Sequence, residues 1–188
     1  MIRTVPELVP LLDHVDEFRQ VIAAMRQGHG GTIDGSWGSS CALAAAAVAN
    51  NAPGTLLVVL PRIGDLDDFA ADLASLLPTP PGVFPAWETL PKEHSVSDNI
   101  FGARLRVLRE LESPAPPKVV VAPFPALLQP VPARESRQAG TRTLRVGDDL
   151  PVDEFLRWLV DRGFERVPAL EAPGEFAMHG GILDVFPP

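Results

Sequence analysis

The sequence predicts an α/β fold, a parallel sheet with a degenerate phosphate loop, followed by a small α+β module. Two apolar runs, within Thr55–Leu60 and Lys118–Ala122, are typical of strands buried on both faces of a parallel sheet. Segments with apolar residues at three- and four-residue spacing alternate with these runs, as amphipathic helices do in α/β proteins. After about Pro132 the periodicity changes to short strand-like segments around one helix, which indicates a separate module.

The elements of the first part follow from hydrophobic spacing and from proline. Clusters of proline over residues 78–91 and 114–132 predict loops and strand edges, because proline lacks an amide hydrogen and disfavours helix at the residue before it. Two short strands are expected over Gly31–Asp34 and Gly82–Phe84. Helices are expected over Leu11–Gln27, Ser39–Asn51, Ile63–Leu77 and Asp98–Leu111.

The second part predicts one helix among short strands. The helix is expected over Val152–Arg162, and strands are expected over Thr141–Val146, Phe164–Val167, Gly174–Met178 and Ile182–Phe186. The last strand is followed only by Pro187 and Pro188, and a strand needs partners, so the chain is expected to be a fragment. We therefore predict an α/β domain over residues 1–128 and an α+β domain over residues 129–188 that is incomplete at its C-terminus.

Composition narrows the class of protein. The chain has 188 residues, 46% of them hydrophobic, which is enough for a packed core. No apolar run approaches the roughly 20 residues needed to cross a bilayer, and the N-terminus lacks a signal-peptide segment. The single Cys41 excludes an intramolecular disulfide and fits a reducing cytoplasm. A net charge of −8 argues against coating nucleic acid by bulk electrostatics.

A glycine loop from Gly35 to Ala42 has the frame of a phosphate-binding loop without its chemistry. A working loop of the type G-x-x-x-x-G-K-[ST] uses backbone amides, a lysine and a Mg²⁺-binding hydroxyl. Counted from Gly35, the corresponding positions hold Ser40, Cys41 and Ala42, and no Lys or Arg occurs between Asp34 and Arg62. We therefore expect no nucleotide cofactor and no catalysis in this chain. The degenerate loop comprises Gly35, Gly38, Ser39, Ser40, Cys41 and Ala42.

Two alternatives remain open for this loop. It can be an ordinary tight turn before an alanine-rich helix, since Gly and Ser mark turns in many folds. It can also descend from a nucleotide-binding loop, because a short strand, a glycine turn and a helix follow one another in the required order. On the second reading, Trp37 would fill the space that a nucleotide occupies.

An excess of arginine is the second candidate site. Four arginines face only one acid, Glu135, over residues 134–146, which leaves a local excess of three positive charges. The run is either a solvated face or a docking patch for an acidic partner, since guanidinium groups pair with carboxylates in bidentate geometry. The four are Arg134, Arg137, Arg142 and Arg145.

Other titratable residues show no recognised catalytic or metal-binding spacing. The four histidines, at positions 14, 29, 94 and 179, have no cysteine or carboxylate spacing typical of a metal site, so no metal is expected. Glu88, Lys92, Glu93 and His94 could in principle transfer protons, but a solvated loop is the favoured interpretation.

Several segments in order resemble the N-terminal part of bacterial transcription-repair coupling factors (Mfd), over roughly Thr32 to Pro187. Each segment is unspecific by itself, and their combination in this order carries the resemblance. They are Phe84–Pro91 with the Arg-bearing helix Phe101–Leu111, Val119–Pro123 with Ala126–Gln129, Leu144–Gly147, Gly163-Phe164, and Gly174–Ala177 leading into Gly181–Pro187.

The resemblance implies a fold and a partner. In that family the region is similar to the nucleotide-excision-repair protein UvrB, with a helicase-like first domain that has lost its ATPase motifs and a second domain that binds UvrA. It implies that DNA translocation and RNA polymerase binding belong to other domains of the parent protein. UvrB itself has an intact Gly-Lys-Thr loop and a tyrosine-rich hairpin, whereas this chain has no tyrosine.

The resemblance also implies partner-binding residues. One family Arg that contacts UvrA corresponds to His179 in this chain. His179 is either a weaker UvrA contact, since it is mostly neutral at pH 7, or a surface residue of the strand without such a role. UvrA contacts are expected from the four arginines above and from His179. A residual ATPase or helicase domain of the UvrB kind remains an alternative, as does a structural role that masks the UvrA surface in the parent protein.

Overall fold

The computed structural model describes residues 3–87 and 99–188, which divide into two compact units. The first unit comprises Met1–Ala86 and Val107–Leu127, and the second comprises Trp87–Arg106 and Leu128–Pro188. Each unit therefore contains two separate stretches of chain. Domains over residues 1–128 and 129–188 stay a prediction about independent modules.

The first unit contains a three-stranded parallel sheet in the order β1-β3-β2, which confirms the predicted parallel α/β architecture. Val58 of β1 is paired with Val121 of β3, and Val83 of β2 is paired with the same residue on its other side. The strands are β1 (Leu56–Leu60), β2 (Gly82–Val83) and β3 (Val119–Pro123).

Helices surround this sheet. A 3₁₀ helix, Val5–His14, precedes the α-helices, and a 3₁₀ turn, Ile63–Asp65, leads into the third of them. Residues of the fourth helix up to Arg106 group with the second unit. The α-helices are α1 (Asp16–Arg26), α2 (Ser39–Asn51), α3 (Leu66–Leu76), α4 (Asn99–Leu111) and α5 (Phe124–Leu127).

The core of the first unit is built from small residues on α2 and large ones around it. Ala42, Ala46 and Ala49 of α2 are completely buried, and their short side chains allow neighbouring elements to approach closely. Leu73 of α3 and Val121 of β3 belong to the same buried cluster. Burial of this apolar surface is the main force holding the unit together.

Three expectations for the first unit are wrong. The helix predicted over residues 11–27 is interrupted at Val15, whose extended backbone (φ −88°, ψ 120°) separates the 3₁₀ helix from α1. Residues 31–34, within the described range 3–87, lie outside any helix or strand. β1 is not buried on both faces: Leu57 and Val59, which point to the same face of the strand, are exposed, so that face of β1 is not covered.

The second unit contains a mixed sheet in the order β4-β5-β6, covered on one face by α7. β5 and β6 form an antiparallel hairpin in which His179 is paired with Ile182. Gly180 and Gly181 join them with φ of +54° and +88°, as a two-residue turn of this hand requires. The elements are α6 (Arg134–Ala139), α7 (Val152–Asp161), β4 (Glu165–Arg166), β5 (Glu175–His179) and β6 (Ile182–Phe186).

The strand predicted over Thr141–Val146 is absent from the described range 99–188, where these residues are exposed and outside any ladder. A side chain satisfies one of its amides, since the Arg145 N–H donates to Asp148 Oδ2 at 2.8 Å. Alternation of apolar and polar residues therefore does not suffice to form a strand here. Over the described residues, none of the helices has the length and apolar character needed to cross a membrane.

Candidate functional site

The glycine loop before α2 is closed by its own side chains. Gly35 and Gly38 have φ of +74° and +56°, a region in which a Cβ atom would be strained. Asp34 Oδ1 accepts the Gly35 N–H at 2.8 Å. Ser40 Oγ accepts the Trp37 N–H at 2.8 Å and donates to the Trp37 carbonyl at 2.7 Å. These bonds occupy two of the loop amides.

The remaining loop positions offer no cation. Ser39 is exposed in the first turn of α2, Cys41 is half-buried, and the Ala42 methyl group lies in the core. A carboxylate on the Gly35 amide places negative charge where a phosphate would bind. The arrangement is that of a tight turn at a helix start, and the nucleotide-loop ancestry stays a prediction.

Trp37 does not fill a nucleotide-shaped space. Its side chain is 84% exposed, so the expectation that it occupies the place of a base or phosphate is wrong. Among the described residues, no atom lies within 4 Å of the place of a Cβ at Gly35 or Gly38.

Two of the four arginines are held by contacts inside the second unit. The Arg137 guanidinium donates to the Pro132 carbonyl from α6. The Arg142 guanidinium lies 5.4 Å from the centre of the Phe155 ring on α7, within the range of a cation–π interaction. Arg134, Arg142 and Arg145 are exposed, and Arg137 is half-buried. The predicted patch thus combines exposed guanidinium groups with contacts that hold Arg137 and Arg142.

Arg162 belongs to the same cluster and was missed from sequence. Its guanidinium donates to the Ala139 carbonyl at 3.0 Å and lies 5.9 Å from the Trp158 ring centre. Trp158 is stacked on Phe155 with ring centres 5.7 Å apart. The spacing of Phe155, Trp158 and Arg162 puts them on one face of α7, and this pattern could have identified the cluster.

His179 lies at the end of β5, next to the hairpin turn, and is exposed. Its Nε2 is 2.5 Å from the Pro168 carbonyl, so this nitrogen carries the hydrogen and donates it. The ring therefore has a fixed orientation on the hairpin. It lies on a different element from the four arginines.

Glu88, Lys92, Glu93 and His94, with the second half of the Phe84–Pro91 motif, lie outside the described residues. Within residues 3–87 and 99–188, no group of three or more His, Cys, Asp or Glu side chains is placed to hold a metal ion.

Glu175 fixes the loop before β5. Its Oε2 accepts the Glu171 N–H at 2.6 Å and the Ala172 N–H at 2.8 Å. These bonds favour the ionised form and lower the pKa of Glu175. The loop that precedes the hairpin is thereby tied to the first residue of β5.

We expect ionisation of the Glu175 carboxylate to make the free energy of unfolding depend on pH. A lowered pKa means that its stabilisation is present above the unfolded-state pKa of about 4.3 and is lost as the pH falls through the folded-state value. Glu175→Gln should flatten the fall in unfolding free energy below about pH 5. Urea unfolding at several pH values measures this effect. Glu165→Gln on β4 is the control, and an equal flattening in it would contradict the assignment.

Comparison with known proteins connects this structure to one family. Residues 143–188 match the UvrB interaction domain family. A transcription-repair-coupling factor of Mycobacterium tuberculosis is 39% identical over 153 residues, which cover 78% of this chain and 12% of that protein. One from Bacillus subtilis is 29% identical over 175 residues, covering 92% of this chain and 15% of that protein. One from Staphylococcus aureus is 33% identical over 105 residues, covering 55% and 9%.

The chain spans less than one sixth of the length of these relatives. The family match falls within the second unit, and the 175-residue alignment necessarily includes parts of both units. The ordered motifs and the alignments therefore point to the same proteins. Over most of its length the chain is similar to the transcription-repair-coupling factors, and residues 143–188 match the UvrB interaction domain family.

Proposed function

We propose that this chain is a non-catalytic, cytoplasmic module of a transcription-repair coupling factor and that it recruits UvrA during transcription-coupled nucleotide excision repair. The observation that carries this proposal is the UvrB interaction domain over residues 143–188, in a chain related to these factors over most of its length. ATP-dependent DNA translocation and RNA polymerase binding would belong to parts of the relatives that this chain does not span.

The docking surface in this proposal combines anchored and exposed basic groups. Arg137 and Arg142 hold α6 and the following segment in place through the Pro132 carbonyl and the Phe155 ring. Arg134 and Arg145 are exposed and would meet acidic side chains of UvrA, and His179 would add contacts from the hairpin. Charged groups at the rim of an interface act mainly on the association rate and its salt dependence.

Charge reversal tests this surface. The double variant Arg134→Glu/Arg145→Glu should weaken UvrA binding at low salt at least about tenfold, which corresponds to about 1.4 kcal/mol, and should reduce the salt dependence. Isothermal titration calorimetry at several salt concentrations measures both effects. Arg109→Glu, exposed on α4 in the first unit, is the matched control.

Two results would contradict the proposal. Failure of the unmodified chain and of its full-length parent to bind UvrA at low salt would remove the function itself. Equal weakening by Arg109→Glu would leave UvrA binding in place but remove the assignment to the arginine surface.

We also propose that the glycine loop neither binds nor hydrolyses nucleotide. The closed loop, the Asp34 carboxylate on its amide and the buried Ala42 support this proposal. The rival interpretation is a residual ATPase or helicase domain of the UvrB kind. Titration with Mg-ATP separates the two, because binding at millimolar concentration or below, or ATP turnover by the pure chain, would favour the rival.

A further inference from the structure

Arg104 of α4 is a buried charge. Its side chain is 2% exposed, and burial lowers the pKa of its guanidinium. Placing a charged group in the interior is costly unless other groups solvate it there. We therefore expect the neighbours of Arg104 to stabilise its charge in the second unit.

Those neighbours come from two other stretches of the same unit. The guanidinium lies 4.4 Å from the ring centre of Trp87, stacked as a cation on an aromatic face. Nη1 donates to Gln129 Oε1 and Nη2 donates to the Pro130 carbonyl, each at 3.4 Å. A planar guanidinium can stack and donate in two directions at once, which a lysine cannot do.

Gln129 completes the cluster by binding the backbone of Trp87 in both directions. The Trp87 N–H donates to Gln129 Oε1 at 2.9 Å, and Gln129 Nε2 donates to the Trp87 carbonyl at 2.7 Å. The side-chain amide thus replaces one rung of a strand ladder. Only an amide side chain offers both a donor and an acceptor at this spacing.

The stretch that this cluster holds connects the first unit to α6, and its other end is bound by Arg137, which donates to the Pro132 carbonyl. Residues 128–133 lie outside the helices and strands. Pro130 and Pro132 lack amide hydrogens and cannot join a ladder through them. The next residue, Arg134, begins α6, so the position of this stretch determines where α6 starts.

We propose that Trp87, Arg104 and Gln129 form a side-chain clasp that fixes residues 128–133 and thereby sets the position of α6 within the second unit. The clasp is a conformational device of the fold and does not depend on UvrA binding. Opening it releases the proline-containing stretch while the helices and strands of the first unit stay intact.

Amide hydrogen exchange of the full chain, followed residue by residue by NMR, tests the clasp. In Gln129→Ala we expect the Trp87 amide to exchange at least about tenfold faster, and the Arg137 amide, which donates to the Ala133 carbonyl at 3.0 Å, to exchange faster as well. Amides of α2 and β3 should keep their wild-type rates. Gln138→Ala, on the exposed face of α6, is the matched control and should leave Trp87 unchanged.

A second variant keeps the test decisive if Gln129→Ala fails to fold. Gln129→Met keeps the length of the side chain but removes both the acceptor for the Trp87 N–H and the donor to the Trp87 carbonyl, so it should accelerate Trp87 exchange locally. Wild-type exchange at Trp87 in the folded variants would overturn the clasp. A uniform acceleration across both units would overturn it as well, since it would make Gln129 a contributor to global stability only.

Discussion

Replacing Phe176 with alanine is expected to lower the free energy of unfolding by about 3–5 kcal/mol. Phe176 lies on β5 and is 1% exposed, in a cluster with Phe155 and Leu159 of α7. Truncation removes apolar burial and leaves a cavity that the short sheet of this unit can close only in part. Loss of this order should also abolish binding of any partner that recognises the second unit.

Urea unfolding followed by the fluorescence of Trp158, which is part of the same cluster, measures the loss. Phe186→Ala is the control, because Phe186 of β6 is exposed and its truncation should cost far less. Equal losses in the two variants would contradict the placement of the core between α7 and the sheet.

The positions of β1 and β3 in the first unit could be predicted because each strand is a continuous run of apolar residues. The apolar runs of β1 and β3 occur at the predicted positions, and their parallel pairing follows from the helices between them. Exposure of Leu57 and Val59 could not be predicted, since a run of apolar residues does not show whether other elements cover both faces of a strand.

The strand predicted from alternating apolar and polar residues in the second unit is wrong because this segment has no pairing partner. Thr141–Val146 has the period of a strand, yet its amides and side chains are exposed and Asp148 accepts one of them. Pairing is a long-range property, and a short segment does not encode it. The β5–β6 hairpin was predictable because Gly180 and Gly181 mark the turn between two apolar segments.

The arginine cluster could be identified from the sequence, but the contacts of its side chains could not. A charge count identifies Arg134, Arg137, Arg142 and Arg145, whereas only the fold shows that the Phe155 ring holds one of them. A charge count also does not show that Arg104 of α4 is buried. Its spacing of three residues from the buried Val107 places it on the apolar face of α4, where a charged side chain is not expected from sequence.

Leu73→Ala is expected to cost about 2–5 kcal/mol of unfolding free energy. Leu73 of α3 is completely buried in the cluster that includes Ala46 of α2 and Val121 of β3. The tight alanine-rich helix leaves little room for neighbours to move into the cavity, which favours the upper half of that range.

Leu57→Ala provides the matched control, because it makes the same truncation on the exposed face of β1 and should cost less than about 1 kcal/mol. Chemical denaturation monitored by circular dichroism gives both values. If the two variants lost equal stability, the helices would not cover the face of the sheet assigned here, and the buried cluster around Leu73 would have to be wrong. We expect the large loss only in Leu73→Ala, because only a buried side chain loses both its transfer free energy and the packing around the cavity that it leaves.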